Sequence, residues 1–248
     1  MAQDPKTRIL GMIPARFGSR RFPGKPLAMI AGKSLIQRTY ENAKKCNLLS
    51  DLIVATDDKR IYDHVLGFDG QAVMTSQDCP TGTERLAEAV KNNNELSDTD
   101  IVVNIQGDEP FLGLDVIESV VNILQNAEMS TAVVPIHDEK EAYDPSVNKC
   151  VLDKQGYALY FSRTLIPNGH TGKWDPKITY YKHLGIYGYR KGFLLRYAEL
   201  APTPLQMSED LEQLKVLEHG FRIKVAVVEN DSVGIDTPED IKKVEQTL

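Results

Sequence analysis

Four cations, Arg16, Arg20, Arg21 and Lys25, stand among glycines and prolines in the stretch IPARFGSRRFPGKPL at 13–27. Guanidinium forks pair with phosphate oxygens and an ammonium adds a compact point charge, so the set suits a polyphosphate. Pro23 and Pro26 stiffen the loop that carries them. Between residues 5 and 40 there are eight basic side chains and no acidic one, where an even spread (36 × 35/248) would place about five acids. The whole chain carries a net charge of -6. An acidic protein that keeps one segment clear of carboxylates presents an anion site there, the alternative being a solvated basic face. The expected ligand is a nucleoside triphosphate. The loop is neither a Walker loop, because five residues separate Gly18 from Gly24 and Pro26 follows Lys25, nor a GxGxxG dinucleotide loop.

The elements that must position this loop follow from periodicity. Short β-rich runs, RILGMI, LIVAT, QAVMTS, IVVNIQ and STAVVPI, alternate with helical stretches at 34–46, 59–67, 83–92 and 114–126. That alternation predicts parallel strands with helical crossovers. Ser34 with Gln37 three residues on predicts a capping box. From residue 146 the pattern turns to strands, VNKCVLD, GYALYFS and HLGIYGY, before a final helix, strand and helix at 208–219, 224–228 and 238–247. The reading is an α/β fold in one domain, 1–248: a mostly parallel sheet flanked by helices, with a smaller, partly antiparallel lobe at about 146–190. In such sheets ligands bind outside the carboxyl ends of the strands.

Composition sets limits. With 248 residues, 42% hydrophobic and 26% charged, the chain can bury a full core. No run approaches the roughly 20 apolar residues of a spanning helix, and no secretory signal precedes the first strand, so a cytoplasmic protein with no membrane partner is expected. A pI of about 5.5, with no second basic stripe, argues against nucleic acid. Cys46, Cys79 and Cys150 lack metal or disulfide spacing and read as incidental thiols.

The opening loop resembles the N-terminal signature of the sugar cytidylyltransferases. The similarity continues through VATDD (54–58), PTGTERLAE (80–88), NIQGDEP (104–110), LDKQGYALYFSR (152–163), HLGIYGYR (183–190), LEQLKVLE (211–218) and GIDTPEDI (234–241), in the family's order and over nearly the whole chain. The later motifs narrow the likeness to the branch acting on 3-deoxy-manno-octulosonate (Kdo). The resemblance implies transfer of CMP from CTP to the anomeric hydroxyl of Kdo, giving CMP-Kdo and pyrophosphate for lipopolysaccharide biosynthesis. It also implies Mg²⁺ as cofactor and a homodimer formed through the lobe.

Residue by residue, the likeness assigns the triphosphate to Arg16, Arg21 and Lys25, and leaves Arg20 out. Asp108 and Asp236 become the metal ligands and, with Lys25, the catalytic set; by sequence alone Asp236 equally reads as part of a helix cap around Thr237. Thr81, Gly82, Thr83 and Gln106 join the CTP set, with a simple helix cap as the rival reading of Thr83. Arg163, His183, Tyr187, Glu212 and Gln213 are implied for Kdo. Adjacent Glu212 and Gln213 would lie about 100° apart on a helix, so both could touch a ligand only along its edge. His183, without the family motif, reads as a core histidine; His64, His137, His170 and His219 read as structural. Glu109 reads as structural or supporting. The alternatives are a cytidylyltransferase for another acidic sugar, such as sialic acid or an amino variant of Kdo, and a non-catalytic nucleotide-binding protein on the same fold.

Overall fold

The computed structural model of the chain describes residues 7–18, 22–91, 96–97, 100–170 and 172–246. Its strands are β1 Ile9–Ala15, β2 Met29–Ile30, β3 Lys33–Ser34, β4 Asp51–Thr56, β5 Gln71–Met74, β6 Ile101–Asn104, β7 Met129–Ile136, β8 Lys149–Leu152, β9 Ala158–Ser162, β10 Tyr180–Arg190 and β11 Lys224–Val227. The helices are α1 Leu35–Ala43, α2 Lys59–Gly67, α3 Gly82–Lys91, α4 Leu114–Asn122, α5 Glu139–Tyr143, α6 Lys191–Glu199, α7 Pro204–Glu209, α8 Leu214–Glu218 and α9 Pro238–Glu245.

The main sheet runs β11-β7-β10-β6-β1-β4-β5, with β2 and β3 forming a separate two-stranded ribbon. Every pairing along the main sheet is parallel except those of β10, which is antiparallel to both β6 and β7. This is the mostly parallel α/β sheet expected. The antiparallel part starts with the hairpin β8–β9, which hangs on β10 through β8. The last strand of the 146–190 segment is a full member of the main sheet.

The alternation of β1 explains why both faces are covered. Ile9 and Ile13 join a core with Ile36 and Tyr40 of α1, Ile61 of α2 and Val116 of α4. Leu10 and Met12 point to the opposite face, against Leu86 and Val90 of α3 and Phe193 and Leu194 of α6. Ser34 caps α1 as expected, accepting from the N–H of Gln37 at 3.2 Å, but the Gln37 side chain turns to Glu41 at 2.9 Å instead of closing the box.

One expected helix breaks. The sequence reads as one helix over 208–219, yet α7 ends at Glu209, Asp210 takes a left-handed φ of 53°, and α8 starts only at Leu214. Pro204 and a Thr203/Gln206 capping box set the start of α7 earlier than expected. Aspartate tolerates the left-handed conformation better than most residues, and the turn lets Leu211 donate back to the Gln206 carbonyl at 3.2 Å. Glu212 and Gln213 therefore lie in a connector, not side by side on a helix. Among the described residues no helix is long and apolar enough to cross a membrane.

Candidate active site

The sheet order places the site. From β1 the chain moves outward to β4 and β5, then returns to lay β6 on the other side of β1. The carboxyl ends of β1 and β6 therefore flank a topological switch point, where a crevice opens because successive connections depart in opposite directions. A cleft of about 480 Å³ lies there. Its walls include Arg16, Lys25, Thr81, Gly82, Arg85, Gln106, Asp108, Glu212 and Asp236.

Lys25 is held by the backbone. Gly24 adopts φ 72°, a left-handed conformation that a side chain would strain, and its N–H donates to the Phe17 carbonyl at 2.9 Å. A single 3₁₀ turn, Lys25–Leu27, follows, with Pro26 inside it and buried. The Lys25 ammonium reaches across the cleft to Asp108 Oδ2 at 2.6 Å and Asp236 Oδ1 at 3.1 Å. Arg16 is exposed at the mouth. Arg20 and Arg21 lie outside the described residues.

Two segments far apart in sequence bring the aspartates together. After β6, Ile105 donates to the Met12 carbonyl at 2.9 Å, extending the pairing with β1. Gly107 then passes so close to β1 that a Cβ there would stand 3.0 Å from the Pro14 carbonyl oxygen, which makes this one of the few places where the loop needs a glycine. Gln106 anchors the other side of the loop by donating to Gly185 O at 3.0 Å, where β10 bulges between Leu184 and Tyr187. From the C-terminal side, Ile235 donates to the Asp108 carbonyl at 2.8 Å. Asp236 precedes α9, whose cap is a reciprocal pairing of Thr237 with Asp240. The capping reading of this stretch thus belongs to Thr237 and Asp240, leaving the Asp236 carboxylate to face Lys25. Next to Asp108, burial and then the neighbouring aspartate push Glu109 up to about 7.

One wall of the cleft is the start of α3. Thr81 caps it, its hydroxyl accepting from Glu84 N–H at 3.4 Å and also bonding the Glu84 carboxylate. A Cβ on Gly82 would meet the Pro14 ring at 3.2 Å, so α3 packs directly on the end of β1. Thr83 is wholly buried and gives its hydroxyl to Glu212 Oε1 at 3.0 Å. Arg85, which the sequence reading missed, faces the cleft with its guanidinium tied to Asp57 Oδ2 at 2.8 Å and Thr75 Oγ1 at 2.6 Å. Local sequence points the other way, since Lys59 and Arg60 stand next to Asp57 and Asp58, yet Arg60 pairs with Asp58 and Asp57 is left to Arg85.

Of the five residues implied for Kdo, Glu212 lines the cleft; burial raises its carboxyl above the usual range, opposed by the hydroxyls of Thr83 and Thr81. The other four are engaged behind or beside it. Tyr187 OH donates to Gln213 Oε1 at 3.2 Å inside the core. The His183 ring stands edge-on to Phe161 with centroids 4.9 Å apart, its Nε2 2.8 Å from Thr131 Oγ1, and burial lowers it to about 3. Arg163 spends its donors on the carbonyls of Glu209 (2.7 Å), Asp210 (3.1 Å) and Pro145 (3.2 Å), closing the end of α7. Beside Tyr187 in the β6–β10 ladder stands Asn104, fully buried, with neither amide atom partnered among the described residues; the Gln213 Nε2 is in the same position.

A divalent cation fits the donor set in part. Two carboxylates converge on one cationic point in an open cleft, the arrangement Mg²⁺ accepts when substrate phosphates and water complete its shell. No cluster of three or more metal-ligating side chains occurs among the described residues, so those residues do not build a full cage by themselves.

An α/β sheet with a cationic loop and paired aspartates at its switch point defines a nucleotidyltransferase architecture, and the comparisons specify which. The cytidylyltransferase family model matches residues 10–225, and the chain belongs to that family. The chain is 56% identical over 244 residues to the 3-deoxy-manno-octulosonate cytidylyltransferase of Protochlamydia amoebophila, covering 97% of this chain and 94% of that one. It is 48% identical to the mitochondrial enzyme of the same name from Arabidopsis thaliana, covering 98% of this chain and 84% of that one. A solved CMP:2-keto-3-deoxy-manno-octonic acid synthetase complexed with CTP superposes with a TM-score of 0.90 at 37% identity, over 97% of this chain and 98% of that one.

Proposed function

We propose that this enzyme transfers CMP from CTP to the anomeric hydroxyl of Kdo, releasing pyrophosphate, in support of lipopolysaccharide biosynthesis. The observation that carries the reading is the Lys25 ammonium joining Asp108 and Asp236 at the switch point of the sheet. In the transfer a bond forms between the sugar oxygen and the α-phosphorus while the bond to the β-phosphate oxygen breaks; the hydroxyl proton is released and pyrophosphate leaves. Positioning and charge neutralisation supply most of the rate in such a reaction.

The chain's own residues divide the work. Arg16 and Lys25 hold the triphosphate and stabilise the negative charge of the departing pyrophosphate. Thr81, Gly82 and Gln106 line the nucleotide side, and Arg85, fixed by Asp57, presents donors where the acceptor edge of cytosine would lie. Glu212 receives sugar hydroxyls, with Asn104 and Gln213 offering unpaired amide groups behind it. Mg²⁺ would be held by Asp108 and Asp236 and would neutralise phosphate charge and polarise the α-phosphate. The protein is read as a cytoplasmic homodimer whose contact lies in the 146–190 region; sedimentation that finds only monomer at micromolar concentration would remove the dimer.

The direct test is incubation with CTP, Mg²⁺ and a panel of acidic sugars, following pyrophosphate release and product mass. Release with Kdo and a product of the mass of CMP-Kdo is expected. Turnover confined to another acidic sugar would overturn the assignment.

A further inference from the structure

We infer that Lys25 serves as a resident counter-ion for the two aspartates, occupying their shared focus until metal and triphosphate arrive together. The inference rests on the reading of Asp108 and Asp236 as metal ligands and adds to Lys25 a role before chemistry begins. Two carboxylates brought within reach of one atom repel each other unless a cation lies between them. Here that cation is built in: Nζ sits 2.6 Å from one carboxylate and 3.1 Å from the other. The Lys25 side chain is only 14% exposed, against 33% and 49% for Asp108 and Asp236, so the lysine is the most enclosed of the three.

The backbone makes the placement deliberate. Left-handed Gly24 and the Pro26-containing 3₁₀ turn fix where the lysine stem starts, and the Ile235 to Asp108 hydrogen bond fixes the distance between the loops that carry the acids. The pair is thereby preorganised with its charge already partly neutralised. A metal ion entering alone must compete with the ammonium for both carboxylates and brings no anion to receive it. A metal entering with a triphosphate brings that anion with it, so the ammonium exchanges carboxylates for phosphate oxygens. Metal and nucleotide binding are therefore positively coupled through one side chain, and by linkage each strengthens the other equally.

The test reads metal affinity without turnover. Mn²⁺ serves as the probe, titrated by electron paramagnetic resonance against the full-length protein with no nucleotide present. Lys25→Met keeps the length of the stem and removes the charge; Lys25→Gln is the second variant should the methionine chain fail to fold, as judged by circular dichroism. The neutral variant is expected to bind Mn²⁺ about tenfold or more tightly than wild type, and to lose that binding when Asp108→Asn is added. Equal or weaker Mn²⁺ binding by the neutral variant, still abolished by Asp108→Asn, overturns the counter-ion role and leaves the metal ligands standing. Mn²⁺ binding indifferent to both Asp108→Asn and Asp236→Asn, with and without CTP, removes the metal ligands and the counter-ion role with them.

Discussion

The hydroxyl of Thr83 donates to Glu212 Oε1 at 3.0 Å, joining the first turn of α3 on one wall of the cleft to the connector between α7 and α8 on another. A second bond runs parallel to it, from the Lys215 ammonium to Glu84 Oε1 at 3.1 Å. Sequence likeness puts Thr83 with the nucleotide and Glu212 with the sugar, whereas the two are hydrogen-bonded to each other. Thr83→Val keeps the shape and leaves Glu212 short of a donor, a loss of about 1–3 kcal/mol in a buried setting. The expected outcome is a KM for Kdo raised severalfold with the KM for CTP nearly unchanged. Steady-state kinetics in which CTP suffers as much would return Thr83 to the nucleotide set.

Asp108 and Asp236 come from separate loops yet face one ammonium, so neither should be dispensable. Asp108→Asn and Asp236→Asn are each expected to lower kcat/KM at least a hundredfold, the scale seen when one electrostatic group is removed from a transition state, while the thermal midpoint changes little. If either variant keeps more than about a tenth of wild-type turnover, that aspartate has no place in the chemistry.

Arg85 and Asp57 form an ion pair that is nearly closed to solvent, with side chains 3% and 16% exposed. Breaking such a pair from one side strands a charge and costs about 3–5 kcal/mol. Arg85→Met should therefore lower the thermal midpoint by about 6–20 °C and weaken CTP binding. The double variant with Asp57→Asn should lose less than the sum of the two single changes. Strict additivity in that cycle would show that the two residues do not act as a pair.

His183 carries a pH dependence of stability. Burial lowers its folded value to about 3 from an ordinary 6.5, so between those limits the unfolded chain binds the proton and the folded chain does not. Its contribution is fully present above about 6.5 and is lost progressively as the pH falls toward 3, by up to about 1.4 kcal/mol per pH unit. Thermal melts of His183→Gln across that window should show a shallower acid limb than wild type. Superimposable limbs would mean that another group governs acid unfolding.

Much of this arrangement was legible in the chain. The acid-free segment, the glycine and proline around Lys25, and the cap signal after Asp236 each mark a local structure that composition alone betrays. The alternation of strands with helices located the ends of β1 and β6 for the same reason. What was not legible depends on contacts between distant segments. Arg85 and Asp57 meet only because α3 packs over β4, and Asn104 is buried because β10 lies against β6. The break at Asp210 escaped because Leu211, Leu214 and Leu217 keep a helical spacing beyond it while Ser208, Glu209 and Asp210 carry no apolar signal of their own. The pull of the core on those apolar side chains is satisfied equally well by two short helices, and periodicity does not distinguish them from one.

The hydrogen bond from Ile235 to Asp108 also sets when the enzyme can first work. A nascent polypeptide emerging from the ribosome would carry the basic loop first, then the first acid, and would wait another 128 residues, from Asp108 to Asp236, before the second acid arrives. On the proposed reading catalytic competence thus waits for Asp236, and a truncated product folded through β10 would be silent, not partly active.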